Sequence, residues 1–256
     1  MPILGTHKKN DSNEMTNSIV DTSQKKAVKI AGFMFLFVFI APTLNWALVL
    51  SKLNVVDNAI ATANNIMAKE FIFRMGITIE LFMSVGLIIL GLALYIILKP
   101  ISRNLALLAL LLKSIEATIM AITVLVPFIA LQAFSGDSDL TAFTNEQLLL
   151  PLGLIFNAHT SITSIPMVFL GLDMMIFSYL FFKSRYIPRI LAGFGILSFA
   201  FILIQSLMFM LFPAYAMKPM NQIIFWAPSG LFEIIIGVWL LTRGINTQQT
   251  DNEATS

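Results

Sequence analysis

The chain has 256 residues, 57% of them hydrophobic and only 12% charged, whereas a soluble domain carries about a quarter charged residues. Its formal net charge of +2, from 16 basic and 14 acidic residues, is too evenly balanced to argue for a nucleic-acid partner. Cysteine is absent and histidine occurs twice, which excludes disulfides, thiolate nucleophiles, iron–sulfur clusters and a three-histidine zinc site built by one chain.

The apolar residues come in blocks, and mean hydropathy is +0.85. Each block reaches the roughly 20 residues needed to cross a hydrocarbon core of about 30 Å. Residues Met1 to Val28 are rich in Asn, Ser, Thr and Lys and read as a disordered cytoplasmic tail. The block that follows exceeds the apolar stretch of a signal peptide and reads as an uncleaved span. Six spans are predicted: Lys29–Leu50, Met75–Leu98, Asn104–Ala133, Ala158–Phe182, Pro188–Leu211 and Gln222–Thr242. Lys99-Pro100 suits the end of the second and Pro188 the start of the fifth. The fold class is therefore all-α: a polytopic membrane bundle in one domain, 29–243, followed by a second disordered tail, 244–256.

Two outer segments carry further signals. Asp57 suits the cap of a helix running through Arg74. Asn58, Thr62, Asn65 and Lys69 share one face of it, and Ile60, Ala63, Met67 and Phe71 another. That is the pattern of an interfacial helix turning its polar face to water or headgroups; a plain extension of the second span fits as well. Thr144 and Gln147 form a capping box. An unbroken helix from Asn145 to Phe182 would be about 57 Å long, so a break is expected near Phe156–Ala158.

Charge sets the orientation. Lys8, Lys9, Lys25, Lys26, Lys29, Lys99, Arg103, Lys183, Arg185, Arg189 and Arg243 fall on one side of a six-span chain; only Lys52, Lys69, Arg74 and Lys218 fall on the other. Eleven against four places both termini in the cytoplasm, in a cell (inner) membrane, by the positive-inside rule. Because there is no native cysteine, this is directly testable. An impermeant thiol reagent on intact cells should label Ser138→Cys and spare Ser102→Cys, and reversed labelling would sink the charge argument.

Ionisable residues inside a bilayer are costly and face protein or water. Here they are Glu80, Lys113, Glu116, His159, Asp173 and Glu233. Lys113, Asp173 and Glu233 each lie ten residues from a basic residue at a span end, namely Arg103, Lys183 and Arg243. That is about 15 Å of helix, so all three sit near the midplane. Lys113 and Glu116, at i and i+3, share a helix face. Lys113 is expected to point into the bundle, held by Glu116 and an acid from another span, Asp173 or Glu233. An excess of acids over bases there is relieved by a bound proton. In the fourth span His159, Thr163, Pro166, Leu170 and Asp173 form a stripe, and Pro166 frees the carbonyl of Ile162. A kink with a polar stripe suits a water-filled cavity; helix-to-helix glue by Ser161, Thr163 and Ser164 is the plainer alternative. Asn45 and Gln205 read as such glue. Gly86, Gly91, Gly193, Gly195, Gly230 and Gly237 read as points of close helix contact, and Trp46, Trp226 and Trp239 as interface anchors.

Several strings occur together in a fixed order. They are Asn65-Ile66, Phe73-Arg74-Met75-Gly76-Ile77, Arg103-Asn104-Leu105-Ala106-Leu107-Leu108-Ala109, Ser184-Arg185-Tyr186-Ile187-Pro188-Arg189-Ile190-Leu191, and Glu233 with Trp239-Leu240-Leu241. This set resembles the bacterial membrane family called domain of unknown function 4386, over roughly Lys26 to Asn246. The resemblance implies a small polytopic membrane protein and no established reaction. It also implies a basic residue, often Arg, at Lys113 and an Asp at Glu80; both are departures of size and not of sign.

Three functions compete. The preferred reading is small-solute or proton-linked transport, or ligand binding, through a midplane polar cavity. A sensory or assembly subunit whose polar residues only pack helices is the alternative. An enzyme acting on a lipid ranks below both, because only His159 with Asp173 or Glu80 offers an acid–base pair. No catalytic residue, metal or cofactor is expected. The partners expected are the bilayer and a small ligand or proton.

Overall fold

A computed structural model describes residues 5–55, 58–135, 154, 162–212, 214 and 219–246. Side chains within those segments are described from Thr22 onward, except at 130, 133–135, 219 and 222. The described residues form seven principal helices and no strand. These are α1 (Gly5–Asn45), α2 (Ala59–Ala68), α3 (Glu70–Leu98), α4 (Arg103–Ser135), α5 (Ser164–Ser184), α6 (Arg189–Leu211) and α7 (Pro219–Thr242). All but α2 are long and apolar enough to cross a membrane. Their outer faces carry large apolar side chains at high exposure, among them Phe33, Phe82, Leu111, Leu197 and Leu211. Such a surface is stable only against lipid or a partner.

Each spanning helix packs on its chain neighbours, and α7 returns to pack on α1. The six spans therefore close into a ring. The interior is filled at the α1–α6–α7 side by aromatic residues: Phe232 meets Phe35 and Phe199 edge-on, with centroids 6.3 and 5.6 Å apart. Ring closure depends on small residues. A Cβ on Gly32 would lie 2.9 Å from the Gly237 carbonyl oxygen, so α1 and α7 meet backbone to backbone there. Gly86, Gly91, Gly195, Gly230 and Gly237 all face such close neighbours. Gly193 does not: nothing lies within 4 Å of its would-be Cβ, so it is no contact point.

Four expectations are corrected. First, α1 begins at Gly5, so residues 5–28 are helical where a disordered tail is expected. Gln24, Ala27 and Val28 are buried because they continue the apolar stripe of Ala31, Phe35 and Val38 at spacings of 3 and 4. Gln24 Nε2 donates to the Ile97 carbonyl at 2.9 Å, and Lys29 Nζ donates to the Leu241 carbonyl. Both acceptors lie in the last turn of a helix, where carbonyls have no intrahelical donor and cations are favoured. The start of α1 thus caps α3 and α7. Gln24→Ala is expected to lower stability by about 1 kcal/mol, read as a shift in thermal midpoint in detergent. No shift would mean that water replaces the amide.

Second, α2 and α3 are separate helices, broken at Lys69, whose backbone lies at φ −127°, ψ 38°. The second span therefore starts at Glu70 and not at Met75. Asp57 lies outside the described residues; the cap is Asn58, whose Oδ1 accepts from the Ala61 N–H at 2.9 Å. Third, the polar face of α2 does not all turn to water. Thr62 is buried, and its hydroxyl accepts from the Val55 N–H at 2.9 Å. Asn65 Nδ2 donates to the Leu53 carbonyl at 3.3 Å. These side chains satisfy the backbone of the linker before α2, a local competition that Thr and Asn win readily. Phe71 falls beyond the break, in α3, and is exposed.

Fourth, α5 starts at Ser164, and Pro166 occupies its first turn. A missing N–H there costs no internal hydrogen bond; Ile162, just before α5, is helical too, so Pro166 follows a turn at Thr163 that interrupts the span. The Thr144–Gln147 capping box and the break expected near Phe156–Ala158 lie outside the described residues. The first span ends differently from the others: Pro42 is followed by a π-helical turn, Trp46–Leu50, and one further turn, Ser51–Leu53. Pro188 caps the start of α6 and Lys99 the end of α3, as predicted. Trp46 and Trp226 are exposed near span ends.

Candidate functional site

The site is built where α3, α4 and α5 meet. Helix α4 projects Lys113 and Glu116 inward from one face. The Lys113 ammonium donates to Glu116 Oε2 at 2.7 Å and lies 2.9 Å from Asp173 Oδ1 on α5. These side chains are enclosed, with exposures of 1% for Lys113, 2% for Glu116 and 0% for Asp173. Gly91 on α3 makes this possible: a Cβ there would lie 2.8 Å from Lys113 Cγ. The lysine stem lies in the space that Gly91 leaves empty.

The triad is not fully satisfied. The ammonium approaches Asp173 at ion-pair distance but off the line of a good hydrogen bond. Neither Asp173 oxygen has a hydrogen-bond partner among the described residues. Glu116 and Asp173 are also in reach of each other, so two carboxyls share one cation. Glu233 on α7 is less enclosed than the triad and lies within electrostatic reach of Lys113 and Glu116. Four of the six candidate residues thus gather in one region: Lys113, Glu116 and Asp173 in contact, and Glu233 within electrostatic reach.

A family model described as "Domain of unknown function (DUF4386)" matches residues 30–244. The chain belongs to the DUF4386 family. No curated protein and no solved structure matches it. The DUF4386 region covers almost all of the six-helix ring and leaves out the start of α1, so the Gln24 and Lys29 caps straddle its edge.

Of the remaining candidates of this DUF4386 chain, Glu80 takes a different partner. Glu80 is joined to α1: Asn45 Nδ2 donates to Glu80 Oε1 at 3.1 Å and to the Gly76 carbonyl at 3.3 Å. Asn45 is buried and ties α1 to α3. A Cβ on Gly76 would lie 2.8 Å from Asn45 Oδ1, so Gly76 makes room for the amide. His159 lies outside the described residues; Thr163, Pro166 and Leu170 of its stripe are described, and Asp173 reaches the cluster. Among the described residues no group of three His, Asp or Glu side chains is placed to hold a metal ion. Gly91 is a point of close helix contact, as the sequence suggests, but its partner, the Lys113 stem, was not readable there. Its signal was present only as a glycine in a span, without the register that sets it against Lys113.

Proposed function

We propose that the protein is a proton-binding membrane protein in which the Lys113–Glu116–Asp173–Glu233 cluster exchanges protons in step with the binding or passage of a small solute. The observation that carries this reading is that one ammonium meets carboxyls of two spans, Glu116 and Asp173, with Glu233 of a third span within electrostatic reach. Fully ionised, the four groups sum to a charge of about −2, which hydrocarbon tolerates poorly. Proton uptake is the cheapest way to relieve it. Glu233, the least enclosed of the four, is the entry point. The excess of basic residues on one side supports cytoplasmic termini and an inner-membrane location.

A second reading has its own support. Lys113, Glu116 and Asp173 are closed off from solvent to within 2%, as expected of a pin that holds α4 to α5 in a sensory or assembly subunit. Infrared difference spectra of the reconstituted protein after a pH step separate the two. Proton exchange requires a carboxyl band that follows the step and is lost in Glu233→Gln. If no carboxyl band responds in the parent, the cluster is a pin and the proton-linked reading falls.

A further inference from the structure

The turn between α5 and α6 and the end of α7 border an open groove of about 500 Å³. Arg185, Tyr186, Arg189, Ile190, Trp239 and Asn246 line it. We propose that this groove binds the phosphate of an anionic phospholipid headgroup.

The argument rests on charge, shape and position. Arg185 and Arg189 both open on the groove, and among the described residues neither has a carboxylate within 4 Å. Guanidinium is the side chain best matched to a phosphate, through paired N–H donors. The Arg189 guanidinium is already oriented, lying 5.3 Å from the centre of the Phe182 ring. Helix α6 starts at this groove on Pro188, which supplies no side-chain cap. The first N–H groups of α6 therefore add donors and a favourable dipole. The groove is rigidly framed: the Asn246 N–H donates to the Tyr186 carbonyl at 3.0 Å, and Tyr186 and Ile187 are buried. A cavity of this size suits a headgroup.

Position chooses the lipid over a free ion. The turn joins two spans, so it lies at a membrane surface whichever way the chain is oriented. Ile190 is 89% exposed and Phe182 38%. They place an apolar surface directly beside the two arginines. A phosphate with acyl chains attached satisfies both parts; a free phosphate satisfies one. Basic pockets between spans bind anionic headgroups in this manner.

The test uses the full chain with Trp46→Phe and Trp226→Phe, which leaves Trp239 as the one tryptophan. It is placed in vesicles of neutral phosphatidylcholine doped with either brominated phosphatidylglycerol or brominated phosphatidylcholine. Brominated phosphatidylglycerol should quench Trp239 at a mole fraction roughly 25-fold lower, about fivefold for each arginine. Arg185→Gln with Arg189→Gln should remove the preference, and Arg185→Lys with Arg189→Lys should keep part of it. The lysine pair guards against loss of fold. Equal quenching by the two lipids in the parent would overturn the proposal, as would a preference that survives the glutamine pair. Inorganic phosphate should not compete at concentrations that leave the vesicles intact. If it abolishes the preference, the site takes the free anion and the lipid assignment is wrong.

Discussion

Lys113→Met should be the most damaging single change in the polar cluster. Methionine keeps the length of the stem that lies against Gly91 but removes the cation between Glu116 and Asp173. The two carboxyls then face one another with no counter-charge in a site closed to water. Removing one partner of a buried pair costs about 3–5 kcal/mol, mostly the penalty of the charge left behind. Glu116→Gln should cost less, because Lys113 keeps Asp173 at 2.9 Å. The triple variant Lys113→Met, Glu116→Gln, Asp173→Asn should recover most of the loss, since it leaves no orphan charge. Thermal melts of the purified variants in one detergent at fixed pH give the ranking. If Lys113→Met melts like the parent, the ammonium reaches the interface instead and the enclosed triad does not hold α4 to α5.

The common level of Lys113, Asp173 and Glu233 was readable in the sequence because helices have a fixed rise. Three ionisable residues, each ten positions from a basic span end, must sit at one level whatever the bundle looks like. Which helices bring them together was not legible. Hydropathy identifies spans without saying which lie side by side, and all six have similar apolar character. Lateral order is set by contacts such as Gly91 with Lys113 or Asn45 with Glu80, each of which needs two registers at once. The start of α1 failed for a different reason. Its residues are polar by composition, yet Gln24, Ala27, Val28 and Ala31 continue the stripe that Phe35 and Val38 carry through the span. Periodicity, not composition, was the informative signal there. In α2 the same periodicity misled, because Thr62 and Asn65 serve the backbone of the preceding linker, and a polar residue with a local partner need not face water.

The ring closes between α1 and α7, and the glycines there set its stability. Gly32→Ala should destabilise the protein, although alanine is the better helix former by about 1 kcal/mol. The added methyl would lie 2.9 Å from the Gly237 carbonyl oxygen, 2.9 Å from Leu241 Cγ and 3.0 Å from the Leu241 nitrogen. Two of those atoms are backbone and cannot turn aside, so the helices must separate. Overpacking of this kind costs about 1–3 kcal/mol, and separation also draws the Leu241 carbonyl away from Lys29. Gly237→Ala meets Leu36 Cγ and Cδ2 at 2.9 Å and the Gly32 carbonyl oxygen at 3.1 Å; only one of these is backbone, and it is less tight than the backbone contacts at Gly32, so its cost should be smaller. Gly193→Ala meets nothing within 4 Å and should be neutral or slightly stabilising through helix propensity alone. The expected order of thermal midpoints is therefore Gly193→Ala highest, then Gly237→Ala, then Gly32→Ala. If Gly32→Ala melts at or above Gly193→Ala, α1 and α7 are not in backbone contact, and the ring is not closed by these glycines.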